Sequence, residues 1–224
     1  MTNRYEALIF DNDGVLVEPT DTAVLVDAVV EAFHAFGVDI DRSRARHTVE
    51  DDIVPREIAA EHGIDPEAFW HYRELTASLA QQHHVLAGGK PVYEDVAALT
   101  RLDIPRAVVS NNQHATIEFL LAHHDLPAFE AAYGREPTLA GAAKRKPESD
   151  YIERALSDLG VENALYIGDS EKDLVAAHRA GIDSAFLRRD HVADIDLSTE
   201  PTIDVPSLHA LTERLSAVEP EQQR

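Results

Sequence analysis

The sequence contains no cysteine, which excludes disulfides, thiolate metal ligands and a thiol nucleophile. It also lacks any run near the roughly 18 unbroken apolar residues that a membrane span requires, so no membrane partner is expected. Positive charge is scarce: 20 basic residues stand against 41 acidic ones, for a formal charge of −21. A nucleic-acid partner is thereby disfavoured, because a polyanion would be repelled before contact. Lysine is scarcer still, occurring only at Lys90, Lys144, Lys146 and Lys172. An acidic, lysine-poor composition resembles that of proteins from salt-loving organisms, in which counterions screen the self-repulsion; an ordinary acidic cytosolic enzyme is the alternative. The first strand-like run begins almost at Met1 and leaves no room for a signal peptide, so the cytoplasm is the expected location.

What is present is enough for one core domain with a modest insert: 224 residues, 44% of them apolar. Tyr5 to Phe10 is a short apolar run that predicts a buried parallel strand ending at Asp11. Helical spacing follows over Thr20 to Phe36, Pro55 to His62 and Pro66 to His84, with no convincing strand among them. Beyond Gly88-Gly89 strands and helices alternate. Helices are predicted near Tyr93 to Leu102, His114 to His123, Ser149 to Leu159, Lys172 to Ala180 and Pro206 to Val218. Strands are predicted at Arg106 to Ser110, Ala164 to Ile167, Ser184 to Leu187 and, at an edge, Ile203 to Val205. Such alternation predicts an α/β fold, a parallel sheet covered by helices on both faces. The helical stretch interrupts it after the first strand and reads as an inserted cap over residues 19–88, with the core in 1–18 and 89–224. The tail from Glu219 reads as unstructured.

Open parallel sheets bind ligands beyond the carboxyl ends of their strands, and three polar clusters fall there. Asp11-Asn12-Asp13-Gly14 follows the first strand; residues two apart on extended chain point the same way about 6–7 Å apart, so Asp11 and Asp13 can flank one reacting group. A solvated turn is the plainer account of the same residues. Ser110-Asn111 offers a hydroxyl and amides suited to phosphate oxygens, though it would equally cap a helix. In Gly168-Asp169-Ser170-Glu171-Lys172-Asp173 two carboxylates four apart open a helix and can share a side. With Asp11 they form a hard-oxygen set suited to Mg2+, whereas acids also favour helix starts for dipole reasons. Lys146, pinned by Pro147 at a helix start, could hold nucleophile and phosphate together; a surface lysine in a basic run is the alternative.

Adjacent histidines at His83-His84 and His123-His124 point about 100° apart on a helix and read as solvated ends rather than metal ligands. Phe69, Trp70 and Tyr72 are expected to pack the cap's own core, and Arg42, Arg44, Arg46 and Arg56 to lie on helix surfaces.

Taken in order, Asp-x-Asp-Gly after strand one, Ser-Asn after a later strand, Lys-Pro, and Gly-Asp-Ser-x-x-x-Asp after another resemble the haloacid dehalogenase superfamily, from Leu8 to about Leu187. The similar branch is the phosphoglycolate phosphatase-like group, near β-phosphoglucomutase. This resemblance implies a Rossmann-like three-layer core with a helical cap, and a Mg2+-dependent phosphatase acting on a small phosphorylated metabolite through an aspartyl phosphate. It further implies Asp11 as nucleophile and metal ligand, Asp13 as general acid and base with its carbonyl on the metal, and Asp169 as direct ligand. Asp173 would ligate or orient a metal-bound water; Ser110, Asn111 and Lys146 would bind the phosphoryl group. A sugar-phosphate mutase would retain all of these, whereas a dehalogenase needs no magnesium and generally lacks the second aspartate. A phosphoacceptor signalling module would have no place for the cap. The chain could act as monomer or homodimer.

Overall fold

The computed structural model describes residues 4–217; the tail predicted to be unstructured lies outside them. Six strands form one parallel sheet: β1 (Ala7–Phe10), β2 (Arg106–Gln113), β3 (Ala131–Arg135), β4 (Ala164–Gly168), β5 (Asp183–Leu187) and β6 (Ile203–Val205). Their order is β3-β2-β1-β4-β5-β6, so β1 is central and paired in parallel on both sides, with Ile9 opposite Ala107 on β2 and Tyr166 on β4. A strand covered on both faces needs apolar side chains throughout, and all four residues of β1 are fully buried. Ala7 and Ile9 pack with α7 (Asp150–Leu159) and α8 (Glu171–Arg179) through Ile152 and Ala176. Leu8 and Phe10 face the other layer, built from α5 (His114–His123), a 3-10 helix at Glu94–Arg101 and α9 (Leu208–Ser216). The result is the expected three-layer Rossmann-like core.

The inserted cap is all helical: α1 (Thr22–Ala35), α2 (Arg42–Glu50), α3 (Arg56–Glu61) and α4 (Pro66–Leu86). Asp21 caps α1 through the amide of Ala23, and Asp65 caps α4 through that of Ala68, with Pro66 in the first turn. The cap has its own small core of Val26, Val29, Phe33, Ala45, Ala59 and Phe69, the two phenylalanine rings lying 4.2 Å apart. The chain leaves and re-enters the core side by side: the Glu18 amide donates to the Pro91 carbonyl at 2.9 Å, and Val17 pairs with Val92. Among the described residues no helix is long and apolar enough to cross a membrane.

Five elements differ from the sequence reading. Helix α2 was not predicted, because it is nearly all polar and buries only Ala45 and Thr48. Neither was β3 nor the short α6 (Leu139–Ala143), since Ala-Ala-Tyr-Gly-Arg has Tyr133 as its single strand-forming residue and takes its place by pairing with β2. The segment predicted as a helix near Tyr93 is a 3-10 helix. Strand β2 continues past Ser110 to Gln113 with a shift in register after Val109, which carries Ser110, Asn111 and Asn112 over the sheet edge.

Candidate active site

Asp11 stands at the carboxyl end of β1, its amide donating to the Ile167 carbonyl at 2.8 Å, so the two central strands deliver Asp11 and Asp169 to the same edge. The turn after it is closed on the Asn12 carbonyl, which accepts from the amides of Val15, Leu16 and Val17. Gly14 sits there at φ +76°, and a Cβ at this position would lie 1.8 Å from Asp169 Oδ2. Glycine is therefore required twice over, by backbone conformation and by the approach of a carboxylate. Ser170 and Asp173 form a reciprocal capping box at the start of α8, and Asp173 Oδ2 accepts from the amides of Asp169 and Ser170 and from Ser170 Oγ. Gly168 makes this possible, because a Cβ there would fall 2.3 Å from that of Asp173.

Asp11, Asp169 and Asp173 each present one carboxylate oxygen within 4.8 Å of the others. Octahedral Mg2+ binds oxygens at about 2.0–2.1 Å, which sets its ligands about 3–4 Å apart, so this donor set fits such an ion in chemistry and lies close to that spacing. Burial pushes the Asp11 carboxyl up to about 7; Lys146 opposes this, while Asp173, Asp169 and Asp13 add to it. Asp169 is raised for the same reason, burial, against a 2.8 Å contact from His191 Nε2. Carboxylates crowded and buried in this way favour either a proton or a cation among them.

Lys146 is buried at the centre. Its Nζ lies 2.6 Å from Asp173 Oδ1, 3.0 Å from Asp11 Oδ2 and 2.6 Å from the Tyr166 hydroxyl. Burial works against its charge, but Asp11 and Asp173 outweigh that and hold the ammonium above its usual range. Asn111 fixes the lysine's backbone: its side-chain amide donates to the Lys146 carbonyl and its side-chain oxygen accepts the Lys146 amide, at 2.8 and 2.7 Å, just before the cis Lys146-Pro147 bond. The Asn111 side chain is thus engaged with Lys146, while buried Ser110 lines the cavity beside Asp11. Lys144 is exposed.

Asp13 stands outside the three-carboxylate group. Its Oδ1 is ion-paired with Lys90 and its Oδ2 accepts from Asn112 Nδ2 at 2.7 Å. The Lys90 ammonium is fully buried and also donates to Thr20 Oγ1 at 2.7 Å, so both chain crossings between cap and core meet on Asp13. Gln81 of α4 completes this knot by donating to Asn112 Oδ1 at 2.8 Å. Lys90, Asn112, Tyr166 and His191 carried no sequence signal as site residues. Asn112 follows the Ser-Asn pair, and a buried tyrosine on β4 looks like any core residue.

A cavity of about 540 Å3 lies between this edge and the cap. Arg73 of α4 and Arg135 of β3 line it, both buried and both within 5.2 Å of the Trp70 ring. Glu74, fully buried, accepts from Arg73 at 2.5 Å and from Arg135 at 2.6 and 3.0 Å, and Arg135 also lies 3.9 Å from Asp52, a further lining residue of the cavity. Trp70 therefore belongs to the cavity wall, with its indole N–H on the Thr138 carbonyl, rather than to the cap core alone. Phe69 does pack that core, and Tyr72 lies exposed against Phe36. Arg42, Arg44 and Arg46 make exposed pairs with Asp27, Glu61 and Glu50, as expected of surface residues. Neither histidine pair joins a metal-binding group among the described residues.

A Rossmann-like core with a helical cap, and four acidic side chains and a lysine at one sheet edge, form an arrangement suited to phosphoryl transfer. The family model for haloacid dehalogenase-like hydrolases matches residues 8–187, and the chain belongs to that family. It is a phosphatase: it is 31% identical over 190 residues to phosphoglycolate phosphatase of Rhodobacter capsulatus, covering 79% of this chain and 81% of that protein. It is also 26% identical over 219 residues to pyrophosphatase PpaX of Anoxybacillus flavithermus, covering 92% and 98%. Among solved structures, CbbY from Rhodobacter sphaeroides in complex with phosphate shares the fold, with a TM-score of 0.69 at 22% identity over 92% of this chain and 96% of that one.

Proposed function

We propose that the chain is a cytoplasmic, Mg2+-dependent phosphatase that hydrolyses a small phosphate monoester through a phosphorylated Asp11. The observation that carries this reading is the meeting of the Asp11, Asp169 and Asp173 carboxylates within 4.8 Å, with buried Lys146 3.0 Å from Asp11. Asp11, Asp169 and Asp173 would hold Mg2+, with the Asp13 carbonyl a further ligand, and the ion supplies charge neutralisation between an anionic nucleophile and an anionic phosphate.

Asp11 attacks phosphorus, the bond to the ester oxygen breaks, and Asp13 gives its proton to the leaving alkoxide. Asp13 then takes a proton from water, which displaces Asp11 and releases inorganic phosphate. Ser110 donates to a phosphoryl oxygen, and Lys146 keeps Asp11 and the phosphoryl group in register. Asn111 serves by fixing Lys146 from its backbone. The cap, taken as the unit 19–88, closes over the site and contributes the substrate's surroundings. The guanidinium groups of Arg73 and Arg135 on the cavity wall are donors that support a substrate carrying a second anionic group, as the phosphoglycolate named for two relatives would.

A mutase would use the same core residues, so the products separate the two readings. With Mg2+, steady release of phosphate from a panel of esters including phosphoglycolate is expected. Conversion of β-glucose 1-phosphate to its isomer without free phosphate would overturn the phosphatase reading in favour of the mutase. Turnover that survives exhaustive chelation would sink the role of the metal.

A further inference from the structure

Seven large apolar side chains stand exposed among the described residues, and five of them share one surface. Tyr72, Leu75, Leu79 and Leu86 are 40, 44, 56 and 62% exposed along α4, and Phe36, 37% exposed, packs its ring against Tyr72. The buried side of the same helix, with Phe69, Trp70, Arg73, Glu74, Ala77 and Gln81, faces the cap core and the cavity, so the exposed stripe is not what holds α4 in the fold. Its spacing is informative. Ala68, Tyr72, Leu75, Leu79, Gln82 and Leu86 recur at alternating steps of four and three, the period of a seam that packs against another helix.

The flanks show what kind of helix would fit. In a chain with 41 acidic residues, Glu74 is the only one between Glu67 and Glu94, and it is buried and paired. The surface positions bordering the seam, His71, Thr76 and His83, carry no carboxylate, ammonium or guanidinium group. A second copy of so acidic a molecule can approach closely only where neither surface is acidic, and this is such a surface. The seam also maps onto itself when run antiparallel: Ala68 comes opposite Leu86, Tyr72 opposite Gln82, and Leu75 opposite Leu79. That self-complementarity is what a two-fold axis demands.

We infer that the protein forms an antiparallel two-fold homodimer through the exposed face of α4. The stripe is about 27 Å long, and two such strips bury on the order of 1,000 Å2, the low end for a stable association. The dimer therefore dissociates on dilution and tightens in salt, which screens the repulsion between two chains of charge −21.

Sedimentation equilibrium of the full chain across micromolar concentrations, in dilute buffer and in molar KCl, tests this. Twice the monomer mass is expected, reached at lower protein concentration in KCl, and Leu79→Glu should be monomeric with its catalytic constants within about twofold of wild type. A monomer throughout both salt series overturns the inference, as does a dimer whose mass and affinity Leu79→Glu leaves unchanged. Because the chain has no cysteine, orientation is readable as well. Mixing Leu75→Cys with Leu79→Cys under mild oxidation should give mainly the mixed disulfide, and predominance of the two like-with-like disulfides would overturn the antiparallel arrangement.

Discussion

Asp11 is the residue on which both chemistry and stability turn. In the proposed mechanism, replacing it with asparagine keeps the shape but removes the nucleophile, so turnover should fall by roughly four orders of magnitude or more while the circular dichroism spectrum is retained. Stationary phosphate release near the wild-type rate would refute its role. Its carboxyl is raised from 3.8 to about 7, with burial the main cause. Between those values the folded chain binds a proton that the unfolded chain does not, so this group's contribution to stability declines as pH rises from about 4 to about 7 and is level above. Melting of wild type relative to Asp11→Asn in EDTA should show that decline, a few kcal/mol at most; Mg2+ should flatten it by favouring the ionised form. A difference independent of pH in EDTA would contradict the burial argument. Asp11, Asp13, Ser110 and Asp169 were legible as residue types at strand ends, and Lys146 and Asp173 as residue types at helix starts. The pairing of Asp13 with Lys90 and Asn112 was not, since an ion pair across separate loops leaves no periodic trace in a sequence.

At the scale of the element, the turn after β1 and the buried face of α4 each admit a sharp test. Gly14→Ala places a methyl group on Asp169 Oδ2 and forces a left-handed backbone at a cost of about 1–2 kcal/mol. The Mg2+ concentration for half-maximal activity should rise at least about tenfold, and an unchanged titration would show that Asp169 is not held there for a cation. On α4, Glu74→Ala leaves Arg73 and Arg135 buried together without their shared carboxylate. The urea midpoint should fall by an amount equivalent to about 3–5 kcal/mol. A shift below about 1 kcal/mol would mean that the two guanidinium groups are already solvated by the cavity. Amphipathic α1 and the buried strands were readable because their apolar spacing is set by core contact. Helix α2 and strand β3 were not, because partners distant in sequence stabilise them.

For the molecule as a whole, the charge of −21 predicts a salt response independent of any catalytic detail. Screening shortens the reach of self-repulsion from about 10 Å at 0.1 M salt to about 3 Å at 1 M. The melting temperature should therefore rise on going from dilute buffer to molar KCl, and equal midpoints would dismiss a salt-adapted chain. By itself the amino-acid sequence determined the alternating α/β order, a helical stretch after the first strand and the polar residue types beyond the strand ends, because burial periodicity and strand-end chemistry are local properties. Only the tertiary structure decided that three carboxylates meet Lys146, that Asn111 serves the lysine's backbone, that Lys90 reaches Asp13, and that two arginines share Glu74 above the site. Those are distances between residues far apart in the chain, and they are set by how the sheet twists and how the cap settles on its edge.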